Sequence, residues 1–452
     1  MVGKLITGPT FALLLIFGNS YFAQAANNCS ATCSQTACSV DCTETDLRDA
    51  ISKANACSGT PTFIRTITFN SGTGCTINMA QSSTTAACTG DFEKNAVCLT
   101  GHHTIVDGAN KVTFNFNGTG VCQSCSGSCA SPQPALFTLK GHDNQVKNFT
   151  MQYFPEGIHI RSGDNHTVSG VTNKFICEDA ITIDSTAGTG ITVSGNTLTG
   201  NTTAGSGHTC LKSSGASGLC GLDKAIQVNG GASTISGNTI NTIGQPVKVV
   251  AGTHTVSGNS TTGSNTDKNV CQAYSFDGGT NTVSNNTISY CKFGIRVVDA
   301  ASVDATSNII KNSYVAGFQV KGSGAGKLKG TGNKLKGNGG NTASDCQRGA
   351  LVVKDNPNAK VDFGGGDYSG TAVIGSVSSG GNIFCQGSLN DIWNITDCMC
   401  SGTTCNGSTG NSASVGARNN CFDSLPPVTQ DTVPISTRTD SASTCSSAQC
   451  NF

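Results

Sequence analysis

The sequence predicts an all-β chain, a right-handed parallel β-helix, and three observations carry that prediction. A short apolar phrase recurs at a regular period, and a second, alternating segment accompanies it. No amphipathic helical stretch of useful length separates the units, which excludes ordinary βαβ repeats.

The recurrent phrase is Thr-Val-Ser-Gly or a variant, with its apolar residue at Val168, Val193, Ile235, Val256, Val283 and Val303. An Asn follows each, at Asn173, Asn196, Asn238, Asn259, Asn286 and Asn308. Successive units lie 20 to 27 residues apart, with one spacing of 42 where a Cys210 to Cys220 insert intervenes. The companion segments are GIHI (157–160), AITI (180–183), AIQV (225–228), PVKV (246–249), AYSF (273–276), GIRV (294–297) and GFQV (317–320). Each alternates with period two, so one face points inward and the other outward. Strands that pair with their own counterparts one turn later stack into a solenoid.

Stacking the segments produces columns. Ile158, Ile181, Ile226, Val247, Ile295 and Phe318 fall on one inward line. His159, Thr182, Gln227, Lys248, Ser275, Arg296 and Gln319 fall on an outward line. Just before it runs a line of small residues, Gly157, Ala180, Ala225, Pro246, Ala273, Gly294 and Gly317. Small side chains there either leave room for a ligand against the sheet or reflect turn geometry.

The ends are read from composition and capping. Residues 1–25 resemble a secretory signal, with Lys4, the apolar run Phe11 to Phe17 and the small-x-small site Ala23-Gln24-Ala25. That run is shorter than the roughly 20 residues a membrane span needs. Residues 26–100 form a cysteine-rich segment with a cap helix from Asp46 to Ala56, Thr45 serving as N-cap. Leu47, Ala50, Ile51 and Ala54 give that helix one apolar face. The β-helix proper is expected over 101–360. Residues 361–452 carry seven cysteines, lose the repeat and read as a disulfide-held appendage. Six lysines from Lys311 to Lys336 read as a solvated face or, alternatively, as one that attracts a polyanion.

All 24 cysteines follow the proposed cleavage point, an even number suited to an oxidising compartment. Cys29, Cys33, Cys38 and Cys42 have no histidines with them, so they are read as disulfides rather than zinc ligands. Cys271 and Cys291 precede their strands on successive coils, so one coil rise predicts a bond between them. Cys210 and Cys220 are expected to close a small ring. Nine Asn-x-Ser/Thr sequons agree with export. A net charge of zero, with 12% of residues charged, excludes nucleic-acid binding by bulk electrostatics.

In so uncharged a chain, four stretches that set charge beside the outward line stand out. They are Pro155-Glu156-Gly157-Ile158-His159, Cys177-Glu178-Asp179-Ala180, Asp223-Lys224-Ala225-Ile226-Gln227 and Gly244-Gln245-Pro246-Val247-Lys248. Glu156, Glu178 and Asp179 fall at one corner of adjacent coils, about 4.8 Å apart. Like charges crowded there are costly unless they share a cation, and oxygen ligands without His or Cys favour calcium. The competing reading is a structural ion pair between Glu178-Asp179 and Lys224.

These stretches resemble the small calcium-dependent pectate lyases of polysaccharide lyase family three. The matches run in order over about residues 150–255, and DKAIQVNG (223–230) is the strongest. The resemblance implies a calcium site at Glu156, Glu178 and Asp179 and a functional lysine at Lys224. Glu156 stands where that family has Asp, and Gln245 and Lys248 stand where it has Lys and Arg. Lys248 therefore takes the place of the proton-abstracting base, with Lys224 as clamp on a substrate carboxylate. Gln227, Gln245, Arg296 and His159 complete the expected substrate contacts, and Arg296 is the next candidate for the base. The implied protein is a secreted monomer acting on pectate or a related polyuronide, with no nucleic-acid partner and no membrane insertion. A non-catalytic β-helix of adhesin or glycan-binding type is the alternative. A glycoside hydrolase is a further one, which requires a carboxylate pair in the cleft.

Overall fold

A computed structural model describes residues 27–57, 64–80, 83–88, 96–116, 135–174, 176, 178–200, 223–265, 271–272, 274–340, 348–367, 369–386, 392–394, 399–401, 404–406, 413–423, 429–431, 437–439 and 442–452. The expected signal segment and the Cys210–Cys220 ring lie outside the described residues.

The chain is a right-handed parallel β-helix. Among the described residues, twelve strands stack in chain order into one parallel sheet, from Val97–Leu99 through Glu156–Ile160, Asp179–Ile183, Lys224–Val228 and Gln245–Val249 to Thr429–Asp431. A 25-stranded sheet forms the remaining walls. The inward columns stack as the alternation requires: Ile158 pairs with Ile181, Ile181 with Ile226 and Ile226 with Val247. All four are fully buried, so the core is a continuous apolar rod along the helix axis.

The N-terminal helix spans Glu44–Asn55, and Leu47, Ala50, Ile51 and Ala54 close the first coil. Its N-cap is Thr43, not Thr45. The Thr43 hydroxyl donates to Asp46 at 2.6 Å and accepts from the Asp46 N–H at 3.1 Å, a reciprocal pairing that Thr45, one residue from Asp46, cannot make.

The recurrent asparagines form a buried ladder. The backbone N–H and side-chain amide of Asn238 both donate to Oδ1 of Asn259, each at 2.9 Å. The same double bond links Asn196 to Asn238, Asn259 to Asn286, Asn286 to Asn308 and Asn308 to Asn333. Each rung thereby pairs a buried asparagine with the backbone and side chain of its neighbouring coil. Two expected members are displaced. Val171 occupies the ladder position on its coil and donates to Asn196, while Asn173 bonds to Thr199. Val303 pairs with Asn281, and Ala305 takes the place beside Val283.

The ladder also overturns the boundary expected at residue 360. It continues from Asn333 to Asn382 and from Asn382 to Asn420. Strands Lys360–Asp362, Ser414–Gly416 and Thr437–Arg438 carry the large sheet onward in parallel register. Strands here shrink to two or three residues, too short for an alternation to be read from sequence.

Seven disulfides join described cysteines. Cys29–Cys38, Cys33–Cys57 and Cys42–Cys75 staple the N-terminal segment, as expected of cysteines without histidine partners. Cys271 bonds to Cys291 with Cα atoms 4.5 Å apart, which agrees with the stacked register. No helix among the described residues is long and apolar enough to cross a membrane.

Candidate functional site

The outer face of the twelve-stranded sheet carries the charged stretches. Register places Glu156, Asp179, Lys224 and Gln245 in one column on four successive coils. His159, Thr182, Gln227, Lys248, Ser275, Arg296 and Gln319 form the outward column as read from the sequence. The small-residue line does not face a ligand. A Cβ added at Gly157 would lie 2.1 Å from the Ala180 carbonyl oxygen and 2.7 Å from Met151. At Gly294 it would meet the Ile310 side chain at 2.4 Å, and Ala180 and Ala225 are fully buried. Turn geometry and close packing against the opposite wall set these residues small.

A shallow groove of about 390 Å³ runs over the first coils, lined by Glu156, His159, Arg161, Glu178, Asp179, Thr182, Asp184, Lys224, Gln227 and Asn229. Its charges are mutually engaged. The Lys224 ammonium lies 2.9 Å from Asp223 and 3.3 Å from Asp179. Arg161 pairs with Asp184 at 2.9 Å, and His159 Nε2 lies 2.5 Å from Glu156. Gln227 donates to Asn229 at 2.8 Å. The backbone carbonyl of Glu178 accepts from the N–H groups of Asp223 and Lys224, tying two coils at the corner.

Burial pushes the Asp179 carboxyl up to about 6, against the attraction of Lys224 and with Asp223 and Glu156 adding to the rise. Burial alone would lower the Lys224 ammonium, but Asp179 and Asp223 outweigh it and hold the lysine above its ordinary value. A lysine so held suits a fixed positive charge and not a proton acceptor.

Calcium fits this corner by donor type and not by arrangement. Oxygens bound to one calcium ion at 2.3–2.6 Å lie within about 5 Å of each other. Among the described residues, the one His/Cys/Asp/Glu group with three ligand atoms mutually within 4.8 Å is Cys385, Cys445 and Cys450. Those sulfurs belong to the Cys385–Cys450 and Cys421–Cys445 disulfides. Glu156, Glu178 and Asp179 therefore do not close around one point, and the Lys224 ammonium neutralises Asp179.

Lys248 stands on the coil after Lys224, in the column of Gln227, and its ammonium pairs with Asp277 on the next coil. It lines neither this groove nor a second one further along. That second groove, of about 250 Å³, contains Gln272, Lys292, Phe293, Arg296, Gln319, Lys321 and Lys354. Arg296 thus belongs with a different set of residues from the other expected substrate contacts. Gln245 Oε1 is buried without a hydrogen-bond partner.

Arg161, Asp184, Asn229, Asp277 and Lys354 escaped the sequence reading, and Lys321 entered it only as one of the six lysines from Lys311 to Lys336. Each immediately follows the last inward residue of its strand, namely Ile160, Ile183, Val228, Phe276, Val320 and Val353. Extending the period-two alternation by one position would have found them.

The family model "Right handed beta helix region" matches residues 222–363. No curated protein matches the chain. Similar solved structures include an alginate lyase from Paenibacillus sp. str. FPU-7, at 13% identity and TM-score 0.43, covering 70% of this chain and 98% of the lyase. The catalytic unit of a thermostable GH87 alpha-1,3-glucanase from Streptomyces thermodiastaticus strain HF3-3 is 14% identical with TM-score 0.42, covering 75% of this chain and 65% of the glucanase. PfbA, a surface adhesin of Streptococcus pneumoniae, is 14% identical with TM-score 0.43, covering 79% of this chain and 89% of the adhesin.

Proposed function

We propose that this is a secreted polysaccharide lyase that cleaves a pectate-type polyuronide by β-elimination on the outer face of the twelve-stranded sheet. The observation that carries the reading is the column Glu156–Asp179–Lys224–Gln245, which sets a charged lysine beside the buried Asp179 carboxylate in an open groove. The seven disulfides agree with an exported protein.

In this reading Lys224 exchanges Asp179 for the carboxylate of a bound uronate and steadies the charge that develops beside C5. Lys248, on the next coil, takes the C5 proton, and the C4 oxygen leaves with the bonding electrons. For that step Lys248 must give up its pairing with Asp277 and meet the substrate as the neutral amine. A cation at Glu156, Glu178 and Asp179 would need these side chains to draw together and the Lys224 ammonium to leave Asp179, so calcium dependence is an outcome of the test and no step is routed through it.

The test is incubation with polygalacturonate, with and without a chelator. Unsaturated products absorbing in the ultraviolet are expected. New reducing ends without that absorbance would make the protein a hydrolase, and no cleavage at all would leave the adhesin-like alternative. Full activity in chelator would remove calcium from the mechanism and leave Lys224 as the permanent counter-charge.

A further inference from the structure

The second groove brings together four cations that the sequence scatters over 63 positions, Lys292, Arg296, Lys321 and Lys354. Lys321 and Lys354 are register partners on adjacent coils, and Arg296 lies on the coil before Lys321. Three positive side chains therefore climb the face at about one coil rise, roughly 4.8 Å, per step. None of the four makes an ion pair among the described residues, whereas Lys224, Lys248 and Arg161 on the preceding coils all do.

Two polar atoms at the floor are left unpartnered. Arg296 Nε and Gln319 Oε1 are both buried without a hydrogen-bond partner, and Gln319 is only 2% exposed. Arg296 and Lys292 both lie over the Phe293 ring, at 5.4 and 5.5 Å, which holds both near the groove floor. Stacked like charges repel, and the buried Arg296 Nε–H donor left unmade is costly, so this arrangement is stable only at a cost that an anion would relieve; Gln319 Oε1 is an acceptor and calls for a donor instead.

We propose that this groove is a binding site for anionic groups repeated along a glycan chain, carboxylates or sulfate esters, held by Arg296, Lys321 and Lys354 in succession. The choice of a glycan rests on the polysaccharide reading above; the preference for repeated anions rests on the groove alone. Burial, together with Arg296 and Lys354, lowers the Lys321 ammonium, against the opposing pull of Asp355 and Asp299. A bound anion would reverse that shift. The groove is three coils beyond Lys224, so one extended chain lying along the helix axis can touch both.

The experiment measures binding, so that it succeeds or fails independently of any cleavage. Affinity electrophoresis through gels containing polygalacturonate, a sulfated galactan or an uncharged glucan is run for the wild type, Lys321→Gln/Lys354→Gln and Arg296→Gln. Lys327→Gln, an exposed lysine on the other sheet, controls for net charge. The wild type should be retarded by a polyanion and not by the uncharged glucan. The double variant should lose at least tenfold in affinity and show a shallower salt dependence, as expected when two ionic contacts are removed. Stronger retardation by the galactan assigns the site to sulfate esters, and by polygalacturonate to carboxylates. Lys321→Gln/Lys354→Gln leaves the buried floor intact, so its fold should survive where Arg296→Gln does not. Unchanged retardation in the double variant, or an equal loss in Lys327→Gln, overturns the proposal.

Discussion

The two grooves on one sheet handle charge in opposite ways. Over the first coils the cations that line the groove, and Lys248 beside it, pair with carboxylates on their own or an adjacent coil: Arg161 with Asp184, Lys224 with Asp179 and Asp223, Lys248 with Asp277. Three coils later, Lys292, Arg296, Lys321 and Lys354 gather without an ion pair among the described residues. The first groove is electrostatically closed and opens only by exchange of partners. The second is open and waits for negative charge from outside. A site that resembles a catalytic one in sequence is thus the self-satisfied one, and the strongest unmet electrostatic demand lies outside the stretch that carried the resemblance.

The largest expected effect separates the grooves by turnover. On polygalacturonate, Lys248→Ala should lower kcat by about 10²–10⁴-fold, the usual loss for a positioned base. Lys321→Gln should raise KM and leave kcat within a few-fold, because it acts on binding. The comparison breaks if the results invert. Wild-type kcat in Lys248→Ala with a collapse in Lys321→Gln would move the chemistry to the second groove, where burial lowers the guanidinium of Arg296 and the ammonium of Lys321.

How much of this was legible depended on the length of the local signal. The columns from Ile158 to Phe318 were readable because five-residue strands show two full alternations. The coils beyond 360 were not, since their strands are two or three residues long and long insertions separate them. The Asn ladder was visible as a recurrence, but its register on the Val171 coil was not, because an Asn two residues away imitates it. The corner of Glu156, Asp179 and Lys224 was placed correctly by period. Its pairing stayed open between a shared cation and an ion pair with Lys224, because side-chain reach across a coil decides which of them Asp179 faces. Lys321 was lost among six lysines in sequence. The fold sends Lys327, Lys329, Lys334 and Lys336 to the large sheet and Lys321 to the groove.

A smaller effect tests the electrostatic contrast through stability. Lys224→Met leaves Asp179 buried beside Asp223 without its counter-charge, and should cost about 2–3 kcal/mol in urea denaturation. Lys354→Met removes one of two stacked like charges and should fall within about 0.5 kcal/mol of wild type, or above it. A double-mutant cycle of Asp179→Asn with Lys224→Met should return a coupling of about 1 kcal/mol or more. Equal costs for Lys224→Met and Lys354→Met would erase the distinction between a paired and an unpaired groove.

The smallest effect concerns pH, where the scaffold and the first groove pull in opposite directions. His166 is fully buried; its Nε2 donates to the Ser162 carbonyl at 2.9 Å and its Nδ1 accepts from the Asn144 N–H at 3.2 Å. His254 repeats the pattern, with Nε2 donating to Ala251 at 2.7 Å and Nδ1 facing the Ser233 hydroxyl at 2.9 Å. His166 is therefore neutral, and burial lowers both rings below the ordinary histidine value. Below about pH 6.5 the unfolded chain binds protons that the native rings refuse, so stability falls with pH until the native values are passed. Asp179 works the other way. Its native value of about 6, above the unfolded 3.8, adds stability that is complete below about 3.8 and is lost as pH rises through 6. The wild-type profile between pH 4 and 7 sums these opposing limbs, and the variants resolve them. Asp179→Asn should make the denaturation midpoint drop more steeply on acidification below 6.5 than in the wild type. His166→Gln/His254→Gln should make it drop less steeply than in the wild type. Profiles that move together in the two variants would mean that neither the buried rings nor the buried corner governs acid stability.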